Sequence, residues 1–409
     1  MKTDVLVIGG GPAGLSAALS AAKEGAKVII AERDNLGGIL NQCIHSGFGL
    51  RYFGEELTGP EYASRFVRKV AAEKNISTIK GSVICADKNR CCEIATESGY
   101  ESISAGAVVI ATGCRERPAG TLNIAGGHPA GIFTAGTAQR LINIDGLCVG
   151  KKIVILGSGD IGLIMARRFT LEGAKVEAVL EAMPTPGGLN RNIAQCLKDF
   201  NIPLRLSTTV VEVLGQKRVE GVVTAQVDEN IRPIKGTEQT IPCDTLILSV
   251  GLIPENDLFG FLTLDRRTKG PFTDNLGQCE VSGYFACGNA LHVHDLVDNV
   301  TYESENAGKN AALFALGKLR SENSVKVSCG NSIASVVPQF IKEGSPSVIY
   351  IRVKKKIKNA MLFAARPDGT IIKSIKRLAF APNETISLEL PTLSGISYDN
   401  IIIDASGEA

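Results

Sequence analysis

Two glycine clusters carry the residue types and spacing from which chemistry can be read most directly. The first is Gly9-Gly10-Gly11-Pro12-Ala13-Gly14, directly after the apolar run Asp4-Val5-Leu6-Val7-Ile8. The second is Gly157-Ser158-Gly159-Asp160-Ile161-Gly162, directly after Lys152-Ile153-Val154-Ile155-Leu156. Each is G-x-G-x-x-G between a buried-strand pattern and an Ala/Leu-rich helical pattern. The first glycine makes a tight turn, the second lets a backbone approach a pyrophosphate, and the third lets helix pack on strand. The helix that follows offers unpaired N–H groups and a positive dipole end to phosphate. Each copy also has a carboxylate at the end of the next strand pattern, roughly 20 residues on, where it can accept from a ribose hydroxyl. These are Glu32 after Lys27-Val28-Ile29-Ile30-Ala31, and Glu181 after Lys175-Val176-Glu177-Ala178-Val179-Leu180. One such motif is weak. Two, each with strand, helix and acid in place, imply two dinucleotides on one chain and electron transfer between them.

The elements that must position these turns follow from the rest of the chain. Gly37-Gly38 follows the first acidic strand end. Val108-Val109-Ile110-Ala111-Thr112-Gly113 is a strand ending in a small-residue turn, and Gly283-Tyr284-Phe285-Ala286-Cys287-Gly288-Asn289 comes late. This order resembles the FAD- and NAD(P)-dependent pyridine nucleotide-disulfide oxidoreductases, the group of glutathione and thioredoxin reductases, over residues 1–320. The resemblance implies an α/β fold with two Rossmann-like dinucleotide-binding domains. It implies FAD at the first motif and NAD at the second. The implied FAD set is Gly9, Gly11, Pro12, Ala13, Gly14, Glu32, Arg33, Gly38, Val83, Ala111, Thr112, Gly113, Gly288, Asn289 and Asp298. The implied NAD set is Gly157, Gly159, Ile161, Gly162 and Glu181, with Gly251 at the crossover between domains. Glu181 favours NAD over NADP, because a carboxylate repels a 2′-phosphate.

Two departures from the family pattern matter. Asn289 stands where the family has Asp; an amide still accepts a hydrogen bond but carries no charge. The redox dithiol is also missing. The segment after Gly37-Gly38 has one cysteine, Cys43, and residues 151–250 hold only Cys196 and Cys243, far apart. Disulfide exchange is therefore not expected, and electrons must leave the flavin directly or through a partner.

Asn41-Gln42-Cys43-Ile44-His45-Ser46-Gly47-Phe48-Gly49, Gly131 to Gln139, and Gly288 to Asp298 resemble the FAD/NAD subunits of heteromeric bacterial dehydrogenases. That set includes subunits of opine oxidase, sarcosine oxidase and hydrogen cyanide synthase. The resemblance is strongest to the flavoprotein that accompanies an anaerobic-type glycerol-3-phosphate dehydrogenase. It implies that the partner is a second dehydrogenase subunit, exchanging electrons with NAD through FAD. Cys43, His45 and His294 are the candidates for chemistry beside the flavin: a thiol against the ring system, and histidines near the start of a helix, Asp298 to Leu316, whose positive end favours reduced, anionic flavin. A metal site from Cys43, His45, His292 and His294 is not expected, since neither spacing matches a usual zinc signature. Two other functions stay open: a self-contained NADH oxidase or NADH-dependent reductase, and a structural subunit.

Composition limits the remaining classes. The 409 residues suffice for two or three domains. A formal charge of +2 argues against a nucleic-acid footprint. No signal peptide or membrane-length apolar run is evident. Eleven scattered cysteines suggest reduced thiols and a cytoplasmic protein, held at a membrane, if at all, through its partner. The expected domains are 1–118 with 255–322 for FAD, 119–254 for NAD, and a β-rich appendage at 323–409, a sandwich by its strand and turn pattern.

Overall fold

The structure, a computed structural model, describes residues 1–319, 323–394 and 398–408. The expected boundary at 322 lies outside the described residues. The chain forms two compact units, Met1–Cys114 with Pro254–Ala409, and Arg115–Ile253.

The first unit opens with β1 (Lys2–Ile8), α1 (Pro12–Lys23), β2 (Val28–Glu32), α2 (Gly59–Ala72), β3 (Ile76–Ala86), β4 (Cys91–Thr96) and β5 (Gly99–Ile110). The inner strands β3–β2–β1–β5 run parallel. β1, β2 and the second half of β5 read as Val/Ile/Leu/Ala runs because both faces are covered, and Val5, Leu6 and Val7 are wholly buried, whereas β3 carries exposed polar residues along its length. The far halves of the long strands β3 and β5 pair antiparallel with β4, so one sheet is parallel at one end and a meander at the other. α1 begins with Pro12 in its first turn, where the missing N–H costs nothing. α2 begins with a reciprocal capping box between Thr58 and Glu61.

The second unit repeats the plan. A parallel sheet runs β6 (Ile132–Thr134), β10 (Thr245–Leu248), β7 (Lys152–Leu156), β8 (Lys175–Leu180), β9 (Leu204–Arg205). Helices α3 (Ala135–Asn143) and α4 (Asp160–Leu171) pack on it through Ala138, Ile142, Leu163 and Phe169. Strands 208–214, 221–226 and 239–242 form most of a second, mainly antiparallel sheet.

On return to the first unit, β11 (Tyr284–Ala286) adds a parallel strand beside β5. The chain then enters α5 (Val297–Ala315). α5 lies against α1 at backbone distance: a Cβ on Gly308 would fall 2.1 Å from the Ala17 carbonyl oxygen.

Beyond α5, the β-rich region has two sheets. One runs β14 (Phe340–Lys342), β12 (Ser324–Cys329), β19 (Asn400–Glu408), β16 (Ile357–Ala365), β17 (Ile371–Phe380). The other runs β13 (Ile333–Val337), β15 (Ser347–Val353), β18 (Ile386–Leu390). Alternating residues from both, including Ile349, Ile351, Leu362, Ile386, Leu388, Ile401 and Ile403, make one core. Asp368 turns the β16–β17 hairpin by accepting from the Thr370 N–H at 2.8 Å. Lys354, Lys355 and Lys356 are exposed at the start of that hairpin, and Lys354 Nζ donates to the Asn331 carbonyl at 2.8 Å.

Candidate functional site

The first glycine turn is built by close backbone approach. Gly9 has φ +104°, and a Cβ there would sit 2.4 Å from the Ala111 carbonyl oxygen. A Cβ on Gly14 would sit 1.8 Å from the Gly9 oxygen. These two glycines serve the fold. Gly11 is different. Its φ is −75°, any residue's conformation, and a Cβ would meet no atom nearer than 3.9 Å. Neither backbone nor packing requires a glycine there, and the space a side chain would fill is open. Gly38 completes this cradle at φ +55°, facing the Gly11 backbone.

The second turn has the same division of labour. Gly157 has φ +103° and would clash with the Ser249 carbonyl, and Gly162 would clash with the Gly157 oxygen. Gly159 has φ −64° with nothing nearer than 4.0 Å. Both following helices, α1 and α4, begin at these middle glycines without a side-chain cap, so their first N–H groups can meet phosphate oxygens. Ile161 packs partly into the core beneath α4.

Each strand-end carboxylate is held by its own turn. Glu32 accepts from the N–H of Gly10 at 2.6 Å and of Asp34 at 2.8 Å. Glu181 accepts from the N–H of Ser158 at 3.0 Å, the Ser158 hydroxyl at 2.6 Å and the N–H of Met183 at 2.9 Å. A carboxylate has about four lone-pair positions, so acceptor capacity remains for a ribose. β9 places Arg205 opposite Leu180, one residue before Glu181. Local spacing in the sequence does not reveal this cation, whose guanidinium donates to Gln239 at 3.2 Å.

The other expected FAD residues lie in the first unit. Arg33 is exposed just past Glu32. Val83 lies in β3 and packs against the core. Thr112 donates its hydroxyl to the Glu255 carbonyl at 2.6 Å, and Gly113 accepts from the Glu255 N–H at 3.0 Å. Gly251, with φ +103°, lies in the second unit. Ala13 meets Gly288: a Cβ on Gly288, at φ +63°, would lie 2.7 Å from the Ala13 Cβ. The late segment is thereby pressed onto the first glycine turn. Asn289 accepts from the His294 N–H at 3.0 Å and donates to Cys114 Sγ at 3.5 Å. Asp298, in the first turn of α5, accepts from the Tyr52 N–H at 3.3 Å, which holds the 49–53 turn against the helix.

The three candidates for chemistry have different surroundings. Cys43 Sγ donates to the Ile39 carbonyl at 3.3 Å, and desolvation pushes its thiol up to about 12. It is a neutral thiol at neutral pH, not a thiolate. His45 is half-buried with its ring 5.0 Å from that of Phe48. The His294 ring is enclosed, its Nε2 3.1 Å from Glu303. His292 Nε2 lies 2.9 Å from the other oxygen of Glu303, and Glu303 also accepts from the Gly288 N–H at 2.7 Å. Sequence reasoning missed Glu303; the available signal was a carboxylate on the inward face of α5, six residues after the helix begins. Cys43 and His45 are not in this cluster.

All eleven cysteines are free thiols. No helix among the described residues is long and apolar enough to cross a membrane.

The chain is 26% identical over 340 residues to an opine oxidase subunit of Agrobacterium tumefaciens (strain Ach5), an alignment covering 78% of this chain and 66% of that protein. It is 26% identical over 330 residues to dihydrolipoyl dehydrogenase of Manduca sexta, covering 71% of this chain and 63% of that protein. The chain thus spans less than two thirds of the length of these curated relatives. The T. acidophilum thioredoxin reductase structure matches 77% of this chain and 99% of its own, with a TM-score of 0.63 at 24% identity; this is a likeness of fold. Residues 3–308, which include both glycine turns, match the pyridine nucleotide-disulphide oxidoreductase family; the chain belongs to that family, whose cofactors are FAD and NAD(P)H.

Proposed function

We propose that this chain is the FAD- and NAD-binding subunit of a heteromeric dehydrogenase, exchanging electrons between NAD(H) and a partner subunit. The observation that carries the reading is the pair of bare glycines, Gly11 and Gly159, in otherwise crowded turns. Each leaves room where a pyrophosphate would lie. Gly9, Gly11, Gly38, Glu32, Gly288 and Asn289 would hold FAD; Gly157, Gly159, Gly162 and Glu181 would hold NAD. When bound, the flavin accepts a hydride and releases electrons singly or in pairs.

The chain's own residues bind, orient and tune. The two uncapped helix starts supply N–H donors to phosphate. Glu32 and Glu181, already fixed by backbone N–H groups, select ribose hydroxyls without rearranging. Glu181 also disfavours a 2′-phosphate, which supports NAD over NADP. Cys43, kept as a neutral thiol, offers a compact, polarisable surface rather than a nucleophile. With no dithiol following Gly38, electrons leave the flavin directly, and in this reading a partner protein collects or delivers them. The likeness to an opine oxidase subunit supports an assembly of several chains. We take the partner to be a glycerol-3-phosphate dehydrogenase subunit, on the resemblance of Asn41–Gly49, Gly131–Gln139 and Gly288–Asp298.

The test is anaerobic titration of the FAD-loaded chain with NADH, then NADPH, following flavin absorbance. Bleaching by NADH at far lower concentration than NADPH is expected. Equal response to both nucleotides would overturn the role of Glu181, and no response to either would overturn the NAD site. Adding the partner subunit with glycerol 3-phosphate should then reduce the flavin; failure with that substrate alone would overturn only the partner assignment.

A further inference from the structure

One buried polar cluster stands directly behind Gly288, whose N–H it takes up. His292, His294 and Glu303 place their ligating atoms within 4.8 Å of one another. A metal is the first reading of such a group, but the hydrogen bonding favours another. Both Nε2 atoms already contact the carboxylate, at 2.9 and 3.1 Å, and the Gly288 N–H takes a further position on it. A metal-bound histidine usually donates its other ring N–H to an acceptor. His294 Nδ1 is buried with no hydrogen-bond partner, so that ring lacks the outer acceptor a metal ligand would use. The cluster is a carboxylate gripped by three donors, one of them the backbone of Gly288.

The far side of the cluster is closed by β15. The Tyr350 ring stands 5.1 Å from the His292 ring and 5.2 Å from the His294 ring, and the two imidazoles are 3.9 Å apart. Two residues along, Arg352 pairs with Asp295 and donates to the Val293 carbonyl at 3.3 Å. The other Asp295 oxygen accepts from the Thr385 N–H at 2.6 Å. Segment 288–295 is therefore clamped between Glu303 on α5 and a strand of the C-terminal β region. Its other end touches the first glycine turn, where Gly288 meets Ala13.

We infer that Tyr350 and Arg352 are positioning residues for the flavin-binding segment, acting through the two histidines and Asp295. The C-terminal β region is then a working part of the flavin site. This rests on the reading that Gly288 and Asn289 meet FAD.

The test uses the full chain with Tyr350→Ala, Tyr350→Phe, Arg352→Gln and Gly11→Val. The readouts are the FAD dissociation constant, the flavin midpoint potential and thermal unfolding. Loss of two ring contacts should weaken FAD binding about tenfold in Tyr350→Ala. Tyr350→Phe, which keeps the ring, should restore it. Arg352→Gln should shift affinity the same way and serves if Tyr350→Ala does not fold. Tyr350 and Arg352 variants that unfold earlier yet keep wild-type FAD affinity and potential would reduce the clamp to a structural joint and overturn the inference. Gly11→Val checks the underlying reading separately: it should abolish FAD binding, and tight binding there would overturn the FAD site itself.

Discussion

At the scale of single residues, the glycines divide by what demands them. Gly9, Gly14, Gly157 and Gly162 are demanded by the chain's own backbone, while Gly11 and Gly159 are not. Sequence spacing locates all six but cannot sort them, because the distinction depends on what a Cβ would meet in three dimensions. Glu303 was illegible for a related reason. It joins His292 and His294 only after a short loop and half of a helix turn back on each other. Its environment makes a pH prediction. Burial alone would raise its carboxyl, but the attraction of His294 and His292 and their hydrogen bonds outweighs this and holds it well below the usual range. A depressed carboxyl contributes stability fully above its unfolded value, about 4.3, and loses it as pH falls. Burial also lowers His292. Its stabilising share is present above the unfolded value of about 6.5 and is likewise lost on acidification. Denaturant unfolding should show stability declining below about pH 6.5 and more steeply below about 4.5. Glu303→Gln should lower stability at pH 7 by about 2 kcal/mol and flatten the acid limb; an unchanged limb would mean the cluster is not the titrating group.

At the scale of elements, strands and helices around the two turns were legible because each repeats a local pattern: buried run, glycine turn, helix, acidic strand end. The close seating of α5 on α1 was not. It shows only as small residues, Ala17 and Gly308, nearly 300 positions apart. That seating matters because α1 carries the first glycine turn at one end while α5 carries Asp298 and Glu303. A side chain at Gly308 would strike the Ala17 backbone, which has no rotamer to yield. Gly308→Val should therefore cost about 3 kcal/mol of stability, at the upper end for overpacking, and loosen FAD in the same protein. Chemical denaturation and flavin retention on gel filtration check it; a stable, fully loaded variant would show that the two helices can slide apart without consequence for the site.

At the scale of the whole molecule, two units built on one plan were readable as two motifs, and the C-terminal sandwich as alternation and turn signals. What was not readable is that the sandwich packs on residues 292–295 through Tyr350 and Arg352. Those two residues look, in sequence, like ordinary members of an alternating strand. A further consequence follows from the eleven free thiols, none of them a dithiol after Gly38. A dithiol enzyme records its reduced state on its sulfurs, so reductant uncovers a reactive pair. In this chain NADH should uncover none. Alkylation counted by intact mass should give the same number of labels before and after anaerobic NADH, led by the exposed Cys85 and Cys148. Trivalent arsenicals, which bridge neighbouring thiols, should leave NADH-driven flavin bleaching unaffected. An NADH-dependent gain of two labels would reveal a hidden dithiol. Without one, the chain keeps no sulfur memory of its reduction, and an inhibitor that works by capping a redox dithiol finds no target in it.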